Sequence, residues 1–232
     1  KEVQALMEKL VPAEYFYRVE KKTRKTKNDG AWMNFPSVSL FSSTANADLT
    51  KFFKRMGCEA STNAYSITGS TPLVDSLLSV RYALYSEYIP NTDLVNYIQE
   101  SGGTYLYENL YTLPLGFVLP YDLADNWQYQ MENPAEVQND LCLLLGTDDV
   151  LVPVETEVSG SGCTFTADMA GEYYVYIQNK KVKNVKASLP SGEKNFSNVD
   201  RGYLLEMGNL SEGSRITLTP GESGETLTAA VY

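Results

Sequence analysis

The segment YLYENLYTLPLGF, residues 105–117, contains two apolar runs separated by the polar pair Glu108-Asn109. The first run predicts a strand over about 104–108, and the second predicts a neighbouring strand over about 115–120. Pro114 favours an extended backbone in the residue before it. The polar pair therefore lies at the end of the first predicted strand. Its side chains either bind backbone groups of the turn or contact an acceptor molecule.

Outward from this segment, helical and strand patterns alternate through the first 148 residues. Apolar spacing predicts helices at EVQALMEKL (ended by Pro12), ADLTKFFKRMG (ended by Gly57), TPLVDSLL and NTDLVNYIQESGG. Alternating or β-branched runs predict further strands over 15–19, 35–43 and 80–85. The mixture of local patterns is typical of an α+β or mixed α/β module.

The clearest helix signal is NPAEVQNDLCLLLG, residues 133–146. Asn133 is suited to cap the helix, Pro134 to occupy its first position, and Glu136 to complete a capping box. Gly146 is a suitable end.

After residue 148 the pattern changes to short alternating runs separated by glycine-containing turns. Six or seven such runs in about 80 residues, without helical periodicity, predict an all-β sandwich that is jelly-roll-like. The sequence thus predicts two domains, a mixed α/β module at 1–148 and a β-sandwich at 149–232, the latter a candidate carbohydrate-binding domain.

The net charge of −10 excludes a nucleic-acid-binding role, which requires a basic surface. Residues 1–30 nevertheless contain eight basic and five acidic side chains, and most of the basic ones lie within 18–27. This run is a candidate contact for anionic lipid or a polyanionic polymer, but short charge runs are usually solvated loops.

The chain contains no histidine, which excludes nucleophile–histidine catalysis and histidine-ligated metals. The cysteines Cys58, Cys142 and Cys163 lack metal-binding spacing and are expected to be small core residues. Neither acid pair, Asp122 with Asp125 or Asp148 with Asp149, has a spacing that specifies a catalytic site. Since phosphate-binding glycine motifs are also missing, the sequence predicts no catalytic residue, cofactor or metal site in this chain.

Seventeen tyrosines and two tryptophans make aromatic stacking on sugar rings the leading kind of ligand contact. The candidate glycan contacts are the two tryptophans, the amides beside them and the polar pair of the opening segment: Trp32, Asn34, Glu108, Asn109, Asn126 and Trp127.

No apolar run approaches the length of a membrane span. The chain begins at Lys1 with a polar helix and without methionine, so we expect it to be a piece of a longer protein.

Several ordered motifs resemble the extracellular portion of the YfhO family of bacterial membrane proteins: FSST (41–44), TPLVDSLLSVRYALY (71–85), YENLYTLPLGF (107–117) and NPAEVQNDLCLLLG (133–146). The later segments GEYYVYI and LSEGSRITL resemble the sandwich that follows in that family. The sequence departs from the family pattern at Ser79, where glycine is usual, and at Arg81, where lysine is usual.

The resemblance implies a multi-spanning membrane glycosyltransferase that takes sugar from a polyprenyl-phosphate carrier and modifies cell-surface polymers of the lipoteichoic acid type. Its catalytic carboxylate is expected in a loop outside this chain. This chain would then lie at the extracytoplasmic face, against its own transmembrane region, and position the acceptor glycopolymer. The alternatives are a non-catalytic carbohydrate-binding or adhesion module and a purely structural ectodomain.

Overall fold

A computed structural model describes residues 1–10 and 15–232, so the predicted helix end at Pro12 lies outside the described residues. The chain divides into two compact units. The first unit comprises residues 1–50 and 62–120, and the second comprises residues 51–61 and 121–232.

The α-helices of the described chain are α1 (Glu2–Met7), α2 (Asp29–Met33), α3 (Ala47–Arg55), α4 (Pro72–Leu77), α5 (Leu123–Asn126) and α6 (Pro134–Leu144). The strands up to residue 120 are β1 (Arg18–Lys21), β2 (Leu40–Phe41), β3 (Ala60–Ser61), β4 (Ala64–Tyr65), β5 (Val80–Tyr85), β6 (Val95–Ser101) and β7 (Thr104–Asn109). The later strands are β8 (Glu157–Ser159), β9 (Gly162–Thr166), β10 (Gly171–Ile177), β11 (Asn184–Leu189), β12 (Gly192–Ser197), β13 (Leu205–Leu210), β14 (Arg215–Pro220) and β15 (Ala229–Val231).

In the first unit, the described residues build a sheet in the order β1-β5-β7-β6. Strands β1 and β5 are parallel, whereas β5, β7 and β6 pair antiparallel. Helix α1 packs on this sheet, since Leu6 joins Val19, Leu84 and Leu106 in one buried cluster. The apolar face of α1 predicted from its spacing is therefore the face that forms the core.

Two predicted elements of the first unit are wrong. The helix expected over 91–103 is the strand β6, in which half-buried and exposed residues alternate. Gly102 and Gly103 both have positive φ, 55° and 78°, which is the backbone of a two-residue hairpin turn into β7. The strand expected over 115–120 does not form, since this run pairs with no strand of the described chain. Its side chains stay exposed, Val118 to 98%.

The strand predicted over 35–43 is reduced to Leu40–Phe41 because its backbone turns toward a buried carboxylate. Glu20 on β1 is only 1% exposed. It accepts hydrogen bonds from the hydroxyl of Ser37 at 2.8 Å and from the N–H and hydroxyl of Ser39 at 2.8 and 2.9 Å. The N–H of Val38 also donates to it. These donors are therefore occupied by Glu20 rather than by a partner strand.

In the second unit, residues 149–232 form two antiparallel sheets, and the structure describes all of these residues. One sheet has the order β12-β11-β14-β9-β8 and the other the order β13-β10-β15. A single buried cluster draws on both sheets, with Phe165 and Ile216 from the first and Val175 and Met207 from the second. The predicted fold class, an α+β module followed by a β-sandwich, is confirmed.

Helix α6 belongs to the second unit and packs on the sandwich through a cluster of Ala135, Leu151, Tyr174, Tyr176 and Leu204. Its predicted start is confirmed, because the side chain of Asn133 accepts a hydrogen bond from the N–H of Ala135. Glu136 does not complete the predicted capping box. Its carboxylate accepts a hydrogen bond from the side-chain amide of Asn133, whereas a capping box requires one from the backbone N–H. The contacts thus group residues 121–148 with the sandwich, whereas the change in the sequence pattern at 148 predicted that they belong to the first domain.

The end of α3 is also part of the second unit. Gly57, predicted as the helix end, has a φ of 80°. A Cβ atom added there would lie 2.8 Å from the side chain of Leu204, so the close approach requires glycine. The side-chain amide of Gln138 donates to the carbonyl of Met56 at 2.9 Å. All three cysteines are buried, as expected for small core residues.

Candidate functional site

The polar pair of the opening segment is held by the neighbouring strand β5. Nε of Arg81 donates a hydrogen bond to Oε1 of Glu108 at 2.9 Å, and Nη2 of Arg81 lies 2.9 Å from the same oxygen. The side-chain amide of Asn109 donates to the carbonyl of Val80 at 2.7 Å. The hydrogen bond to Glu108 raises the pKa of Arg81, and burial acts in the opposite direction. Both side chains therefore cross-link β5 to β7, whereas the sequence predicted that they bind backbone groups of the turn or contact an acceptor molecule.

The ion pair of Arg81 with Glu108 lies at the surface of the first unit. Arg81 lies between two buried residues, Val80 and Tyr82, and is itself only partly buried. Glu108 is opposite Tyr82 in the register of β5 and β7. The side chains of Arg81 and Glu108 keep 39% and 31% of their surface exposed. The ion pair is therefore accessible to a ligand.

This ion pair lines a groove of about 510 Å³ in the first unit. The aromatic groove, as we call it, is lined by Tyr15, Phe16, Tyr17, Arg81, Glu108, Asn109, Leu110, Thr112, Leu113 and Pro114. Tyr15 is 69% exposed and Phe16 48% exposed. The Arg18 guanidinium lies 5.1 Å from the centroid of the Phe16 ring. Exposed ring faces next to charged and amide groups are the surface that binds sugars, which have one apolar face and many hydroxyls.

The described lining of the aromatic groove contains one carboxylate, whereas glycoside chemistry uses a pair. Among the described lining residues, Glu108 is the only acid, and Arg81 occupies one of its oxygens. The described residues also contain no cluster of acidic or cysteine side chains suited to a metal ion. The described lining thus offers a ligand one carboxylate, one guanidinium group and one side-chain amide.

Trp32 and Asn34 lie elsewhere in the first unit, at the end of α2. Trp32 is 83% exposed and lines a different concavity, of about 340 Å³, with Lys21 and Lys25 among its neighbours. Asn34 has a left-handed backbone with a φ of 57° and ends the helix. Its position is explained by this helix end, because asparagine tolerates that conformation.

Asn126 and Trp127 belong to the second unit. The side-chain amide of Asn126 donates to Asp122 at 3.1 Å, and the indole N–H of Trp127 donates to the carbonyl of Val137 at 2.8 Å. Trp127 is thereby fixed to α6. Of the six candidate contacts, only Glu108 and Asn109 share a groove with exposed aromatic rings.

The aromatic residues of the groove were missed as site residues. The run YFY at 15–17 was interpreted as the start of a strand, but β1 begins at Arg18. Three consecutive aromatic residues cannot all face the core of one strand, because successive side chains point to opposite faces. That excess of aromatic residues was the available signal.

Several cations of the basic run 18–27 are bound within the first unit. Arg18 donates to the carbonyl of Leu78 at 2.6 Å, Arg24 donates to the hydroxyl of Ser66 at 3.1 Å, and Lys22 lies 3.7 Å from Asp75. These contacts give the run a structural role, while lipid contact stays a prediction.

Asp29, two residues after the basic run, is a buried carboxylate that binds residues of this run. Its carboxylate accepts hydrogen bonds from the N–H groups of Lys25 and Thr26, each at 2.9 Å, and lies 3.7 Å from Lys21. Burial alone would raise the pKa of Asp29, but these hydrogen bonds and Lys21 outweigh it and lower the pKa below 3.8.

A comparison with known protein families supports the resemblance that the sequence motifs indicated. A family model described as "Bacterial membrane protein YfhO" matches residues 1–157, which include the whole first unit and end where β8 begins. No curated protein and no solved structure matches the chain significantly. Among residues 1–10 and 15–232, no helix combines the length and the apolar character needed to cross a membrane. The match covers more than half of the sequence, and the chain therefore belongs to the YfhO family of bacterial membrane proteins.

Proposed function

We propose that this chain is the extracytoplasmic part of a membrane glycosyltransferase and that its aromatic groove positions the acceptor, a cell-surface glycopolymer of the lipoteichoic acid type. Membership of a membrane protein family supports the attachment to transmembrane segments, which would be the chain's first partner. The sugar donor would be a polyprenyl-phosphate sugar, and the catalytic carboxylate would lie outside this chain.

The observation that carries the proposal is the position of two exposed rings beside a rigid polar pair. Tyr15 and Phe16 supply stacking surfaces, and the Arg81–Glu108 pair with Asn109 supplies fixed hydrogen-bonding groups. Because Arg81 and Asn109 are already held by the sheet, little side-chain entropy is lost when a sugar binds. A preorganised surface of this kind raises acceptor affinity without taking part in the reaction.

Calorimetric titration of the chain with fragments of a glycosylated teichoic acid tests the groove. Phe16→Ala removes one exposed ring of the groove, and Phe41→Ala removes a similarly exposed ring that does not line it. We expect Phe16→Ala to weaken binding at least fivefold, since one stacking contact contributes about 1 kcal/mol, and Phe41→Ala to leave binding unchanged. Equal affinities for the two variants would contradict the proposal.

The same variants in the whole membrane protein separate the function from its alternatives. An acceptor-positioning groove predicts that Phe16→Ala raises the KM for acceptor and leaves kcat nearly constant. A protein that binds glycan but transfers no sugar would be an adhesion or carbohydrate-binding module. Absence of glycan binding by the unaltered chain would leave a structural ectodomain.

A further inference from the structure

A second concavity of about 510 Å³, entirely within the second unit, gathers basic side chains. We call it the basic pocket. Its charged lining consists of Lys51, Lys54, Arg55, Lys180 and Arg201 against Glu132 and Asp200. The excess of positive charge is notable in a chain with a net charge of −10. Such local reversal of sign attracts anions to one place on an acidic protein.

These cations come from three separate segments of the chain. Lys51, Lys54 and Arg55 have the i, i+3, i+4 spacing that puts them on one face of α3. The helix dipole favours basic residues in the last turn of a helix. This effect explains the positions of Lys54 and Arg55 in α3, but not those of the other cations of the pocket. Lys180 follows β10, and Arg201 ends a short 3-10 helix over Val199–Arg201. Their convergence on the same pocket places five cations beside three acids, Glu59, Glu132 and Asp200, so positive charge stays in excess there and favours an anion.

Contacts within the protein hold part of the basic lining of the pocket in place. Nη1 of Arg55 donates to the carbonyls of Gln130 and Met131 at 2.9 and 2.8 Å. Nη1 of Arg201 lies 3.3 Å from Glu59. Lys180 is held more loosely, 3.5 Å from Glu132, and both of these side chains are mostly exposed. The two guanidinium groups are therefore preorganised, while Lys180 is positioned to adjust to a ligand.

The pocket also offers a surface for the uncharged part of a ligand. Tyr129 and Tyr176 belong to its lining. Tyr129 stacks on Phe52 with the ring planes 19° apart, which fixes the orientation of the ring. The hydroxyl of Tyr176 donates to the carbonyl of Glu132 at 3.2 Å. Tyr176 is only 5% exposed, so the half-buried ring of Tyr129 is the aromatic surface that the pocket offers. Such a ring next to fixed guanidinium groups suits a compound that joins an anion to a polyol or sugar.

We infer that the basic pocket binds phosphate esters. A phosphate group has several anionic oxygens arranged around one centre, so it can accept hydrogen bonds from Arg and Lys side chains that approach from different segments. A single carboxylate fills fewer of these donors. The inference adds an anion site to the protein and does not depend on glycan binding at the aromatic groove.

Titration of the chain at low salt, followed by NMR chemical shifts, tests the site with four probes: inorganic phosphate, glycerol 1-phosphate, acetate and vesicles of phosphatidylglycerol. We expect saturable binding of glycerol 1-phosphate that weakens as salt rises, and acetate binding at least tenfold weaker. Binding to vesicles would identify a lipid headgroup as the source of the phosphate, and binding to the soluble ester alone would identify a soluble or polymeric source. Binding of none of the phosphate probes would overturn the inference.

Two double variants with the same loss of charge provide the control. Lys54→Gln with Lys180→Gln removes two exposed cations of the pocket, whereas Lys186→Gln with Arg215→Gln removes two exposed cations that do not line it. We expect the first to weaken phosphate-ester binding at least tenfold and the second to change it less than twofold. Equal weakening of phosphate-ester binding by the two double variants would show that only the net charge of the protein matters, and would overturn the inference of a specific site. Thermal unfolding checks that both variants fold, and titration with a neutral glycan tests the groove separately.

Discussion

Arg81 on β5 and Glu108 on the adjacent strand β7 form an ion pair, in which Nε and Nη2 of Arg81 both lie 2.9 Å from Oε1 of the carboxylate. The other oxygen, Oε2, receives no hydrogen bond from the described residues. The two oxygens of Glu108 are thus suited to two separate functions. Oε1 cross-links β5 to β7, and Oε2 remains an acceptor at the surface of the aromatic groove.

Glu108→Gln tests the division between these functions. We expect the free energy of unfolding to fall by about 0.5 kcal/mol, because a partly exposed pair contributes little. Glycan affinity is expected to fall more than stability, since the carboxylate acceptor is lost. Urea unfolding and calorimetric titration measure the two effects. Glu157→Gln, which breaks the exposed pair with Arg215, is the control. A large loss of stability with unchanged affinity would assign Glu108 a structural role alone.

Ser79→Gly is expected to stabilise the protein. Ser79 is buried and has a φ of 55°, a left-handed conformation that is unfavourable for residues with a Cβ atom. We expect the free energy of unfolding to rise by about 1 kcal/mol. Ser76→Gly, inside α4, makes the same chemical change in a helical backbone and should lower it by about 1 kcal/mol. Thermal and urea unfolding measure both, and a destabilising Ser79→Gly would contradict the backbone argument.

Glu20→Gln is expected to be strongly destabilising although it keeps the size of the side chain. Glutamine is neutral and keeps a single acceptor oxygen, so the buried bonds from Ser37 and Ser39 to Oε1 lose their assistance from the charge. The hydroxyl of Ser39, which donates to Oε2, then meets an NH2 group that cannot accept. We expect a loss of about 2–3 kcal/mol, the range for buried bonds to a charged group. Urea unfolding measures it. Glu100→Gln, at an exposed position, should change stability by less than about 0.5 kcal/mol.

Asp29 makes stability depend on acid pH. Its pKa in the folded protein is lowered from 3.8, so the ionised form stabilises the fold above that value and the contribution is lost as pH falls through the folded pKa. The unfolding free energies of the unaltered chain and of Asp29→Asn should therefore differ by a constant amount near neutral pH and converge below about pH 4. Urea unfolding between pH 2 and pH 7 measures this, and parallel curves throughout would contradict the prediction.

Elements with strong local signals were predicted correctly. Helix α6 has a cap, a first-turn proline and an apolar face within fourteen residues, and the sandwich strands are punctuated by turns. The hairpin of β6 was missed although Gly102-Gly103 between alternating segments is itself a local signal. The exposed run at 115–120 was misjudged because apolar composition alone does not provide a pairing partner.

The sites were harder to predict because their residues come from distant segments. Glu108 and Asn109 were identified from their position, but their partner Arg81 and the rings at 15–17 join them only through strand pairing. The basic pocket depends on Lys180 and Arg201, whose sequence neighbours give no sign of a shared location with α3. Spacing along a chain reveals contacts within one helix or hairpin and not contacts between elements.

The parallel pairing of β1 with β5 has a consequence for the order of folding. Arg18 pairs with Val80 across a long intervening segment, while β6 and β7 close over two glycines. Closing a short loop loses less chain entropy, so the hairpin can form early and the parallel edge late. In pulse-labelling hydrogen exchange, amides of Tyr105–Tyr107 should gain protection before those of Val19–Lys21. The hydrogen bonds from Ser37 and Ser39 to Glu20 on β1 would then form last and complete the first unit.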